Sequence, residues 1–199
     1  MTLKERYQQD IVPKLQAEFG LRTRMAVPRI GKVVVNVGMS QALRDPKIGE
    51  TVIASLTRIT GQRPVRTLAR KSIAAFKVRQ GQAIGAVVTL RGPRMWDFLE
   101  KLIRVTLPRV RDFRGVARSA VDQSGNLSIG FREHAVFPEI RSDDAEQLHG
   151  VQVTVVTGAR SHERGLVLFK ALGVPFQEVA SRKPPARPGR SVGAASKRA

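Results

Sequence analysis

The chain has 199 residues, 42% of them hydrophobic, no cysteine, and 35 Lys or Arg against 16 Asp or Glu, a formal charge of +19. That length and apolar content suffice for one domain with a real core, and the missing cysteine excludes a disulfide framework and thiolate-bound zinc. The longest charge-free run, Gln147 to Ala159, is 13 residues, too short for a spanning helix of about 20. With no apolar signal-peptide core in Met1-Thr2-Leu3-Lys4-Glu5-Arg6, a soluble intracellular protein without a membrane partner is expected.

In chain order, Thr2 with Glu5 forms a capping-box pattern, followed by Leu3, Tyr7 and Ile11 at helical spacing. Pro13 should bend or restart that helix, which should finish near Phe19-Gly20. A strand is expected over Gly31 to Gly38, where Val33, Val35 and Val37 alternate with Lys32, Val34 and Asn36. Asp45-Pro46 reads as N-cap and first-turn proline of a helix with an Ile48, Val52, Leu56, Ile59 stripe, closed by Gly61. A short strand around Arg63 to Leu68, a basic loop from Arg70 to Gly85 and a strand from Ala86 to Arg91 come next. Gly92-Pro93 opens a helix carrying Met95, Leu99, Leu102 and Ile103 on one face, which Pro108 is expected to stop. After a basic loop, Arg109 to Arg118, the Ser124-Gly125-Asn126 turn introduces a strand from Leu127 to Arg132. Pro138 to Gly150 is acidic, Val151 to Thr157 is the last strand, and Ser161 should cap a final helix with Leu166, Phe169 and Leu172 turned inward. Ala180 to Ala199 has six Arg or Lys, three Pro and no acid, which reads as a disordered basic extension. The expected division is one domain over 1–178 and a tail over 179–199.

The charge is unevenly spread. Thr51 to Trp96 contains nine basic residues (Arg58, Arg63, Arg66, Arg70, Lys71, Lys77, Arg79, Arg91, Arg94) and no acid. Such self-repulsion destabilises a compact fold unless a polyanion neutralises it, so nucleic acid is the first partner to consider. Strands and helices that do not alternate strictly indicate an α+β fold with a largely antiparallel sheet. If Val33, Val35, Val37, Ala86, Val88, Leu90, Leu127, Ile129, Phe131, Val151, Val153 and Val155 share one face, the other presents Lys32, Asn36, Thr89, Arg91, Ser128, Arg132, Gln152 and Thr154. Helices would cover the first face and leave the second open.

Pro28-Arg29-Ile30-Gly31-Lys32-Val33-Val34-Val35-Asn36-Val37-Gly38 resembles the first-strand signature of the 5S-rRNA-binding ribosomal protein family, the fifth protein of the large subunit, in its bacterial form. Gly61-Gln62-Arg63-Pro64, the stretch Ala69 to Gly81, Val88 to Gly92, Leu107 to Gly115, Gly125 to Gly130 and Phe137 to Ile140 are similar to the same family, in order, between about Leu3 and Phe176. The resemblance implies a concave sheet of about five strands backed by helices, in a structural protein of the central protuberance that binds 5S rRNA and helps attach it to 23S rRNA. Carried over by motif, Asn36, Gln62, Arg63, Thr89, Arg91 and Lys32 would contact 5S rRNA. The loop bearing Arg70, Lys71, Ser72, Phe76, Lys77, Arg79 and Gln80 would reach the P-site tRNA. Arg109, Arg111 and Arg114 with Asp143 and Asp144 would lie towards the small subunit and its thirteenth protein. The cytoplasmic ribosome would be the location, with no cofactor, no metal and no homo-oligomer. The chain departs from the common pattern in having Val87 where a Lys is frequent and Gln41 where a Glu is frequent.

No catalytic constellation is visible: His134, His149 and His162 are scattered, Asp143-Asp144 has no suitably spaced histidine, and Ser161-His162-Glu163 are adjacent positions that do not face one another on a helix. Phe76 is expected to pack back on the sheet beside Ile73 and Val78, and Trp96 to fill the core. The rival readings are a general nucleic-acid chaperone or DNA-architectural protein, which would show little preference among RNAs, and an RNA-modifying enzyme, which would need a clustered acid, nucleophile or cofactor loop.

Overall fold

The computed structural model describes residues 1–39, 46–140 and 148–177. Asp45, Gln41, Asp143, Asp144 and the basic tail of 179–199 lie outside the described residues. The strand with the strictest alternation takes the middle of the sheet. β1 (Ile30–Gly38) is flanked by β3 (Ala83–Leu90) and β5 (Val151–Thr157), with β2 (Val65–Leu68) and β4 (Leu127–Phe131) outside them, in the order β2-β3-β1-β5-β4. All four pairings are antiparallel.

The register sorts every side chain. Val33, Val35 and Val37 stand opposite Leu90, Val88 and Ala86, Val33 and Val35 opposite Val155 and Val153, and Val155, Val153 and Val151 opposite Leu127, Ile129 and Phe131. That is the expected apolar face, and all of it but the half-buried Ile129 is buried. Each valine removed from water contributes about 1.5–3 kcal/mol, and because successive side chains alternate, a one-residue slip would expose the whole set. The bulge between Ile30 and Lys32 ends the regular pairing of β1 with β5.

The helices pack into the same core. α1 (Leu3–Arg6) begins with the capping box: the Thr2 hydroxyl accepts from the Glu5 N–H at 3.3 Å and the Glu5 carboxylate from the Thr2 N–H at 2.8 Å. A π turn (Tyr7–Ile11) leads into α2 (Val12–Glu18). α3 (Pro46–Thr60) buries Val52, Leu56 and Ile59 and is closed by Gly61 at φ +66°. α4 (Gly92–Lys101) runs through a second π turn (Leu102–Thr106) into α5 (Leu107–Arg109). Proline shapes both composite helices in the same way. The π turns close with Val12 N–H donating to Tyr7 and Leu107 N–H to Leu102, each one residue before a proline, so the widened turn absorbs the missing amide and the ring. The helix ends at Arg109, one residue beyond Pro108 and close to where the sequence places its stop. Trp96 packs against Tyr7 with ring centroids 5.1 Å apart, in the filling role expected of it.

Other differences from the sequence expectation are local. β3 begins at Ala83, so the preceding connection is shorter than 70–85. In α6 (His162–Leu172), Leu168 is fully buried while Leu166 is half-buried, and Ser161 occupies the N-cap without a side-chain hydrogen bond. Glu139 is held in an ion pair with Lys101, whose ammonium also donates to the Ile59 carbonyl at 2.7 Å, tying α3, α4 and the 137–140 turn together.

Val35→Asp should abolish cooperative folding, because it buries an unpaired charge at the centre of the apolar face, whereas Asn36→Ala, one residue along, should retain a sharp melt. Circular dichroism melts of the two variants check this; equal loss of structure in both would contradict the register.

Candidate nucleic-acid interface

The pleat that buries Val33, Val35 and Val37 turns Lys32, Val34 and Asn36 to the opposite face, none of them buried. One row across that face is Val87, Asn36, Gln152 and Gly130; the next is Thr89, Val34, Thr154 and Ser128. Ser128 and Thr154 hydroxyls share a hydrogen bond of 3.2 Å. Continued alternation past Leu90 and Phe131 brings Arg91 and Arg132 to this side, both exposed. Lys32 and Arg91 stand at one end of the face and Arg132 at the other, so a neutral polar centre lies between cations. Arg66 does not join them: it pairs with the buried Ala86 and leaves β2 on the helix side.

Gln62 reaches the same margin from a different element. Thr60 donates to the carbonyls of Leu56 (2.7 Å) and Gln62 (3.0 Å), which fixes the turn after α3. The Gln62 amide then donates to the Thr89 carbonyl at 3.5 Å. Two residues 27 apart in sequence are thereby joined, with Arg63 exposed beside them. The open face thus brings together Asn36, Thr89, Arg91 and Lys32, with Gln62 and Arg63 at its edge.

The second group lies on a hairpin excursion between β2 and β3. Ala69 N–H donates to Gln82 and Gly81 N–H to Ala69, closing its base. Ile73 and Val78 exchange hydrogen bonds of 2.9 and 3.2 Å around a tip with Lys77 at φ +53°. The Gln80 N–H donates to the Ser72 hydroxyl and the Arg79 N–H to the Gln82 side chain. Arg70, Lys71, Ser72, Phe76, Lys77, Arg79 and Gln80 are all exposed. Phe76 contradicts expectation: it is 73% exposed and does not pack on the sheet, because the Ile73–Val78 bridge closes the hairpin beneath the tip.

The third group is divided. Arg109 and Arg111 border an open groove of about 710 Å³ between the 109–117 segment and the outer strand β4, floored by Val110, Phe113, Val116, Ile129 and Val136. Arg114 is exposed outside that lining. Asp143 and Asp144 lie outside the described residues, so their relation to these arginines is not part of this geometry.

One pairing escaped sequence reasoning. His134 and His149 stack with centroids 3.9 Å apart and planes 14° from parallel. The His134 N–H donates to the His149 carbonyl at 3.1 Å, and the His149 N–H reaches His134 Nδ1 at 3.4 Å. The signal lay in the strand ends: once Phe131 pairs with Val151, residues a few places beyond each are neighbours. Burial pushes the His134 imidazole below its ordinary value, against smaller opposing effects from the Glu133 carboxylate and the His149 backbone. Among the described residues no cluster of three or more His, Cys, Asp or Glu is placed to hold a metal ion, and no helix is long and apolar enough to cross a membrane.

Residues 24–79 match the model of ribosomal protein L5, and residues 83–176 match the model of that ribosomal family's C-terminus. The chain belongs to the ribosomal protein L5 family. It is therefore a ribosomal protein and not an enzyme. It is 54% identical over 176 residues to the large ribosomal subunit protein uL5 of Roseiflexus sp. strain RS-1, a match covering 88% of this chain and 98% of that one. The proteins of the same name in Halothermothrix orenii (51%) and Chloroflexus aurantiacus strain J-10-fl (49%) match over the same shares. The family resemblance drawn from the strand and loop motifs is thus correct.

Because the folded state lowers the His134 pKa, it favours the neutral ring. The stability this gives is present above the ordinary histidine value of about 6.5 and is lost as pH falls towards the lower folded value. The melting temperature should fall between about pH 7 and pH 5, and His134→Gln should flatten that dependence while lowering stability at neutral pH. Melts of both proteins across the range check it.

Proposed function

We propose that this chain, a structural constituent of the large ribosomal subunit, binds 5S rRNA through the open face of its sheet and helps attach it to 23S rRNA in the central protuberance. The observation that supports this best is the single register that gathers Asn36, Thr89, Lys32 and Arg91 on the face opposite the helices. Hydrogen-bonding side chains at the centre can address base edges and 2′-hydroxyls, while Lys32, Arg91 and Arg63 neutralise phosphates. The sheet is already formed in the free protein, so binding needs no folding step at this face.

The hairpin that carries Arg70, Lys71, Ser72, Phe76, Lys77, Arg79 and Gln80 extends to the P-site tRNA in this reading. Its own hydrogen bonds hold it, and its seven side chains are exposed, so they are available to a partner without loss of core. Arg109, Arg111 and Arg114 face the small subunit and its thirteenth protein in this reading, and the family resemblance adds Asp143 and Asp144, which lie outside the described residues. The exposed guanidiniums beside the groove at β4 are the feature that favours a contact there.

At fixed salt the protein should prefer 5S rRNA to a control RNA of equal length, and Arg91→Ala should weaken 5S binding by about 1.5–3 kcal/mol through loss of a charge-assisted bond. Filter binding measures both; an unchanged dissociation constant would remove Arg91 from the interface. Shortening the hairpin between Ser72 and Gln82 should leave folding and 5S affinity intact and modestly speed tRNA dissociation from the P site. Lost 5S affinity with normal tRNA retention would reverse the two assignments.

A further inference from the structure

The open face is not uniformly furnished. At the Gly38 end of β1 it dips into a shallow, wide-open recess of about 290 Å³, bordered by Asn36, Gly38, Ser128, Gly130, Gly150 and Gln152. Asn36 and Gln152 are register partners, and Gln152 is in turn the partner of Gly130. The two carboxamides therefore stand side by side at the wall of the recess. Neither makes a side-chain hydrogen bond among the described residues.

Among the described residues the bare floor has no packing cause: a Cβ added to Gly38 or Gly130 would meet none of their atoms within 4 Å, and neither glycine has a positive φ. The contrast with Gly85 on the neighbouring strand is clear, since a Cβ there would come within 2.7 Å of the Thr67 hydroxyl and 2.9 Å of the Val37 carbonyl. Glycine within a strand is destabilising by roughly 0.5–1 kcal/mol relative to alanine. Where neither backbone nor packing requires it, close approach by a ligand or another backbone is a known reason for it.

The lining also says what kind of group would enter. Among the described residues no Lys or Arg lines the recess itself; Arg132 stands at the same end of the face but outside that lining, so a phosphate would be met at the margin and not on the floor. Two neutral amides offer donors and acceptors together, the complement of the edge of a nucleobase. Bases become available in this way where RNA is single-stranded or looped and a base is turned out of its stack.

We infer that the recess receives one extruded nucleobase, its ring seated over the bare backbone of Gly130 and Gly38 and its edge bonded to the Asn36 and Gln152 amides. The inference rests on the RNA-binding reading of the open face and adds to it a single-base pocket, with Gln152, Gly130 and Gly38 as its determinants. Phosphates at the ends of the face would supply affinity, and the recess would supply discrimination between RNAs.

The test uses the full chain with 5S rRNA transcribed in vitro. Gly130→Leu fills the recess and Gln152→Ala removes one amide from an exposed position, so both should melt close to the unsubstituted protein. Each should weaken 5S binding about tenfold, within the range of a lost bidentate base contact, with the salt dependence unchanged because no phosphate contact is lost. In a series of single abasic substitutions through the 5S loops, one position should weaken binding of the unsubstituted protein but not of Gly130→Leu. Undiminished affinity in both variants, a shallower salt slope, or no abasic position that couples to Gly130 would each overturn the recess while leaving 5S recognition standing. An unsubstituted protein with no preference for 5S over a control RNA would instead overturn the RNA reading, and the recess with it.

Discussion

Everything on this molecule's functional side depends on the pleat of β1. Its alternation commits Val33, Val35 and Val37 to the helices, and the antiparallel register passes that commitment to β3 and β5 and through β5 to β4. Burial of the apolar set is strong enough to exclude a slipped register. The polar set then has no freedom of its own. Asn36, Thr89, Gln152 and Thr154 face outward because their neighbours face inward, and a recognition surface is held in place by a core that it does not belong to.

The charge of the chain serves that surface from its margins. Among the described residues of the open face, the cations are at the ends of the strands, at Lys32, Arg91 and Arg132, and the centre is neutral. This division suits a polyanion that must be both attracted and recognised: long-range attraction needs charge but not precise placement, while contact with bases needs fixed amides and hydroxyls and little charge. Gln62 illustrates the fixing. Its turn is held by Thr60 and its amide by the Thr89 carbonyl, so a helix end and a central strand share one edge of the site. On the opposite side, Lys101 binds the end of α3 and Glu139 at once, anchoring the start of the acidic stretch.

The composition and charge of the chain, the period-two runs, the cap at Thr2, the turn at Ser124 to Asn126 and the apolar stripes of the helices are local properties, and the sequence by itself determined them. Because the strands alternate so strictly, it also determined which residues would share the open face, and its ordered motifs carried the family. Only the tertiary structure decided what depends on distance across the chain. The exposure of Phe76 follows from a bridge beneath the hairpin tip. The π turn just before Pro108, which absorbs the missing amide, follows from how that helix packs. The Gln62–Thr89 contact and the stacking of His134 on His149 join residues brought close by strand pairing, as does the recess between Asn36, Gln152 and Gly130. The physical reason is the same in each case: periodicity fixes the direction in which a side chain leaves its own backbone, but what it meets is set by another segment, whose position depends on the packing of the whole core.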